Sequence, residues 1–175
     1  MQEPFNRVIR VDALPRDGET FAIEASPAER VALAAALGLP SIEALTATLT
    51  ARRAAGGGAR VVGSVRGEVT QTCVVTLEPF ATSIEEDIDV RFAPSDDARE
   101  GRRRRDDPET VSMADEDEPD PLIDGRIDLG VLTAEFLALG LDPYPRKPGV
   151  EFEPPAEAEQ RPSPFAALRG SRRTS

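Results

Sequence analysis

The chain has 175 residues, 39% of them hydrophobic and 30% charged, a size that suits one domain with unstructured attachments. Its net charge of −11 argues against a protein that coats nucleic acid unaided, because such binding rests on many cationic contacts with phosphate. One cysteine excludes an internal disulfide framework, and the absence of histidine removes the commonest general base and the commonest metal ligand.

The opening stretch, "MQEPFNRVIRVDALPRDGE", has no apolar run of signal-peptide length, and no segment is long enough to span a membrane. The expected location is therefore the cytoplasm, which also fits the single cysteine. "FNRVIRVDAL" predicts an early strand with Phe5, Ile9 and Val11 on one face and Val8 on the other. "PRDG" supplies turn chemistry, and "ETFAIEA" resumes alternation through Phe21 and Ile23. "SPAERVALAAALGLP" then carries a complete set of helix signals. Ser26 is the N-cap, Pro27 takes the first helical position, Glu29 completes a capping box, and Gly38 with Pro40 closes the far end.

"IEALTATLTARR" alternates Leu45, Ala47, Leu49 and Ala51 with threonines, a period of two that favours a strand. "AAGGGA" turns the chain. "RVVGSVRGEVTQTCVVTLEPF" predicts one long strand, bulged at Gly63 or Gly67, with the next turn at "EPFAT". "SIEEDIDVRFAP" follows as a strand with Ile84, Ile88, Val90 and Phe92 alternating. From Ser95 to Asp120 charge is dense and no period survives, so this segment cannot bury enough surface to offset its ordering entropy and is expected to be a disordered insertion.

"DGRIDLGVLTAEFLALGLDPYPRKPG" predicts a returning strand that ends near Ile127, then a helix capped by Asp128. Leu129, Leu132, Phe136 and Leu139 fall on one face, and Gly140 is expected to stop the helix in the left-handed region. Pro143, Pro145 and Pro148 make a stiff exit that holds Arg146 and Lys147 in place. The tail from Glu153 reads as flexible, except that "SPFAALRG" could form one helical turn capped by Ser163. The fold predicted is α+β: an antiparallel, meander-like sheet of about five or six strands with two packed helices. Residues 1–152 form one domain interrupted at 95–120, and 153–175 form the tail.

Candidate chemistry is sparse. Cys73 has no histidine to activate it and no second thiol with which to build a zinc site, so a half-buried strand residue is the simpler reading. Asp128 and Glu135 could pair as catalytic carboxylates, but the cap explains the first and a solvated helix face the second. The glycines of "AAGGGAR" lack the helix and the lysine of a P-loop. "RRRR" at 102–105 is flanked by acids that cancel its field, whereas Arg169, Arg172 and Arg173 are basic without acidic neighbours. Arg146 and Lys147 read equally as macromolecular contacts or as solvated surface.

"GSVRGEVTQTCVVTLEPF", an acidic strand, a charged gap and then "DEPDPLIDGRIDLGVLTAEFLALGLDPYPRKPG" together resemble the YceD family, described as large ribosomal RNA subunit accumulation proteins. "SPFAALRG" is similar to that family's C-terminal signature, and the likeness runs from about Arg60 onward. Its motif positions here are Cys73, Asp128, Leu129, Glu135, Asp142, Pro143, Tyr144 and Pro145. Many members carry Cys-x-x-Cys where this chain has Cys73 and Thr76, and some carry later cysteines where this chain has Pro143 to Gly149, so a metal is not carried over. The resemblance implies a non-enzymatic factor for large-subunit ribosomal RNA accumulation, without cofactor or small-molecule substrate. Its partners would be that RNA or a pre-ribosomal particle, with Arg146, Lys147, Arg169, Arg172 and Arg173 as candidate contacts. Two rivals remain: an acidic adaptor or chaperone for a basic client such as a ribosomal protein, and a hydrolase using Asp128 and Glu135.

Overall fold

The structure is a computed structural model that describes residues 5–94 and 119–151. In chain order it contains β1 (Val8–Arg10), a 3-10 turn (Val11–Ala13), β2 (Glu19–Glu24), α1 (Pro27–Leu37), β3 (Ser41–Arg53), a second 3-10 turn (Ala55–Gly57) and β4 (Ala59–Thr72). There follow β5 (Pro79–Pro94), β6 (Asp120–Leu122), β7 (Arg126–Asp128) and α2 (Leu129–Leu139). The predicted α+β class is what is found: β2 to β5 form an antiparallel meander, and both helices pack on it.

α1 forms as its local signals dictate. The Ser26 hydroxyl accepts from the Glu29 amide while the Glu29 carboxylate accepts from the Ser26 amide, so both halves of the capping box are present. Gly38 closes the helix with φ 67°, a conformation glycine adopts without the Cβ clash other residues meet. β3 buries Leu45, Leu49 and Ala51 on the side that faces the helices, and β4 adds Val61, Val65 and Val69. The opposite face carries threonines and exposed ion pairs such as Arg60–Asp89 and Arg66–Glu85, which contribute little stability at such exposure.

Several expectations are corrected. β1 does not join the meander; it pairs with β7, Ile9 opposite Ile127, in a separate two-stranded ribbon. The described chain resumes at Pro119, and Asp120 already lies in β6, which adds a parallel edge to the end of β5. Of the insertion predicted at 95–120, residues 95–118 lie outside the described residues, as does the whole tail predicted from 153, including "SPFAALRG". Neither Gly63 nor Gly67 is a bulge: the β3–β4 register runs unbroken through both, and its one shift falls between Ile42 and Ala44. Gly67 serves packing instead, since a Cβ there would sit 2.5 Å from Leu137 Cδ1.

The phase of α2 also differs. Leu129, Leu132, Thr133 and Leu137 are buried, with Phe136 partly so, whereas Leu139 is 74% exposed. The buried stripe therefore follows i, i+3, i+4, i+7, i+8 across the sheet's apolar face. Gly140 is right-handed, at φ −76° and ψ −6°, so it is not a left-handed stop. Its lack of a side chain matters for contact: a Cβ would lie 2.5 Å from Ile84 Cγ2 and 2.8 Å from Glu86 Cγ.

Candidate functional site

β4 ends at Thr72, and the chain turns through Val74–Thr76 rather than continuing to "EPFAT", which opens β5. The turn is closed by its own backbone: Cys73 N–H donates to the Glu78 carbonyl and Leu77 N–H donates to the Cys73 carbonyl, each at 2.9 Å. Leu77 takes φ 60°, an uncommon conformation for a branched residue. Such a turn needs outside support, and the proline-rich exit from α2 supplies it. Val74 N–H donates to the Pro145 carbonyl at 2.9 Å, and Lys147 N–H donates to Cys73 Sγ at 3.4 Å. The Gln71 amide, buried in β4, donates to the Asp142 carbonyl at 3.1 Å. Asp142 in turn accepts from Tyr144 N–H at 2.8 Å, fixing the bend at Pro143. Two loops distant in sequence are thus clasped into one corner.

Cys73 is fully buried at the centre of that clasp. The Lys147 amide, and after it the Thr76 hydroxyl and amide, stabilise a negative sulfur and pull its pKa down to about 6. The donors present do not fit a metal. The chain has a single thiol, Thr76 occupies the spacing at which a second thiolate would stand, and no group of three or more metal-ligating side chains occurs among the described residues.

The two cations of the exit loop separate. The Lys147 ammonium lies 3.0 Å from Glu78 Oε2, so its charge is largely matched. Arg146 is exposed, and among the described residues it makes no hydrogen bond or ion pair. Around it the corner is unexpectedly apolar: Tyr144 is 73% and Leu77 76% exposed, and Val74 is exposed as well. Sequence reasoning missed Val74 and Leu77 because "VVTL" has the composition of a strand interior. Arg169, Arg172 and Arg173 lie outside the described residues.

The remaining positions serve the frame. Asp128 Oδ1 accepts from the amides of Arg7, Gly130 and Val131 at 2.7, 2.9 and 3.2 Å, capping α2 and tying down the N-terminal segment. Leu129 is fully buried. Glu135 is exposed and borders, with Asp128, an open groove beside α2. A carboxylate already holding three backbone donors is poorly placed to act as an acid or base, which weighs against the hydrolase reading.

The family model described as large ribosomal RNA subunit accumulation protein YceD matches residues 61–170. The chain belongs to the YceD family. The YceD match begins in β4, takes in both loops of the clasp, and continues past Glu151, the last described residue, to residue 170. β1, β2, α1 and β3 precede it. Searches of curated proteins and of solved structures each return no match. No helix among the described residues is long and apolar enough to cross a membrane.

Proposed function

We propose that this YceD protein promotes accumulation of large-subunit ribosomal RNA by binding the RNA, or a pre-ribosomal particle, in the cytoplasm, without turnover and without a cofactor. The observation that carries this reading is the corner: Arg146 and Tyr144 stand exposed on a segment whose neighbours are hydrogen-bonded to a second loop. Recognition of single-stranded RNA draws on stacking against aromatic faces and on cationic contacts with phosphate. A loop already held in place loses less freedom on binding than a free one. The chain as a whole, at a net charge of −11, repels RNA elsewhere, so contact is confined to local cations: Arg146, Lys147 and the tail arginines 169, 172 and 173.

The test replaces the native protein in cells with Arg146→Glu combined with Tyr144→Ala. The expected result is a smaller large-subunit peak on sedimentation and weaker RNA crosslinking, with the urea midpoint of the purified variant unchanged. A normal subunit profile would remove the corner from the mechanism.

A second reading, an acidic adaptor for a basic client such as a ribosomal protein, draws on Glu85, Asp87 and Asp89 along the open face of β5. Glu85 and Asp89 are already paired with arginines, which makes it the weaker of the two. Recovery of a basic protein partner that survives nuclease treatment would favour it; nuclease-sensitive recovery favours RNA binding.

A further inference from the structure

Where the β6–β7 turn and β1 meet α2, a groove of about 610 Å³ opens to solvent. Its floor is apolar: Val8 and Ile123 are 55% and 69% exposed, and Val131 and Leu132 line the helix side. Asp120 and Asp124 stand on its rim against a single cation, Arg126. The rim is held stiffly, because Asp124 and Gly125 take φ 52° and 66° in a two-residue turn closed by the Arg126 amide donating to the Ile123 carbonyl at 3.0 Å. Large apolar side chains left in contact with water beside carboxylates call for an occupant that is apolar on one side and basic on the other.

We infer that this groove is the docking site of the chain's own C-terminal segment, residues 163–173, with Phe165 and Leu168 on its floor and Arg169, Arg172 and Arg173 along its acidic rim. Three observations support this occupant. First, "RPSPFAALRGSRRTS", from Arg161 to Ser175, joins an apolar run to a run of arginines and contains no acidic residue, which complements the groove in both respects. Second, the reach just suffices: the chain between Glu151 and Phe165 can extend about 45 Å, and the groove, lined by Phe92, lies thirteen positions along β5 from Pro79 at the clasp, a span of at most about 43 Å. Third, the YceD match continues past Glu151, the last described residue, through Phe165 to residue 170, so this segment is part of what defines the family rather than an arbitrary extension. The inference goes beyond the RNA-binding reading and stands whether or not the docked arginines also meet RNA.

The test uses the full chain with Phe165→p-benzoylphenylalanine, prepared as an equal mixture of nitrogen-14 and nitrogen-15 protein at low micromolar concentration and irradiated. Docking in cis predicts crosslinks within one isotopic population, mapping to peptides that contain Val8, Ile123 or Val131. The yield is expected to fall about fivefold when Asp120→Lys and Asp124→Lys are combined, or in high salt. Leu168→Asp, which alters the segment and leaves the domain untouched, is expected to lower it similarly. Mixed-isotope crosslinks would assign the groove to a second copy, and crosslinks elsewhere, or none, would overturn the inference. Loss of RNA crosslinking at Arg146 leaves these readouts unchanged, so the two proposals fail separately.

Discussion

The N-terminal end of α2 is held by charge, whereas the segment leaving its C-terminal end is held by backbone amides and a sulfur atom. At the first end, Asp128 accepts three amides, and the Arg7 guanidinium donates to both oxygens of Glu29 at 2.8 and 3.1 Å while lying 4.7 Å from the centre of the Phe5 ring. At the second end, the Val74–Pro145 and Lys147–Cys73 hydrogen bonds join two loops. In the first clamp the charged groups are themselves the fastening: Asp128 is taken up by backbone amides and Arg7 by Glu29. The second is built from main chain and one sulfur, and among the described residues it leaves the Arg146 charge unpaired. Architecture of the second kind suits a binding surface, because what fixes the loop is not what meets the ligand.

The comparison breaks most severely if α2 itself is loosened. Leu137→Ala, which empties the space over Gly67, is expected to cost about 2–5 kcal/mol. Leu139→Ala, on the exposed side, should stay within about 0.5 kcal/mol. Urea denaturation of the pair checks the helix phase. Next in size is Asp128→Ala, which strands backbone donors at the charged end and should cost about 2–3 kcal/mol. Asp142→Ala at the other end removes one exposed turn bond and should cost under about 1 kcal/mol. Equal costs would erase the asymmetry.

Smaller effects separate the clamps by pH. The Arg7 guanidinium, and after it the Ser26 amide, hold Glu29 at a pKa of about 2, below the ordinary 4.5. Its contribution is therefore present above about pH 4.5 and is lost as pH falls through about 2. Glu29→Gln should flatten that acid loss in denaturation curves. Cys73 titrates near 6 in the folded protein against an ordinary 9.0, so the unfolded chain binds more protons between these values. Stability then rises with pH across that window, and Cys73→Ala should abolish the rise. An unchanged slope in the variant would remove the sulfur from the clamp. Smallest of all, Arg146→Glu alone should shift stability by no more than about 0.5 kcal/mol, as expected of an exposed charge with no partner among the described residues.

How much of this was legible from residue order depends on how far each cause acts. α1 could be read from end to end because Ser26, Pro27, Glu29 and Gly38 lie within the turns they cap. β3 was legible in its alternation, and the Asp128 cap in its neighbours. The hairpin turn was not, because Cys73 to Leu77 have strand-forming composition and their turn, closed by its own backbone, is braced by hydrogen bonds from the distant exit loop. The candidate site shared this fate: Arg146 and Tyr144 were visible as residues, whereas the exposure of Leu77 and the engagement of Lys147 with Glu78 were not.

Taken alone, residue order determined the α+β class, the capped first helix, the alternating central strands and the stiff proline exit, since each follows from dihedral preferences and side chains within a few positions. Tertiary structure decided which face of α2 is buried, where β4 turns, why Gly67 and Gly140 carry no side chain, and which of two adjacent cations is paired among the described residues. Those outcomes depend on groups brought together across 74 positions at Cys73 and Lys147 and across 121 at Arg7 and Asp128, a distance over which local preference carries no information.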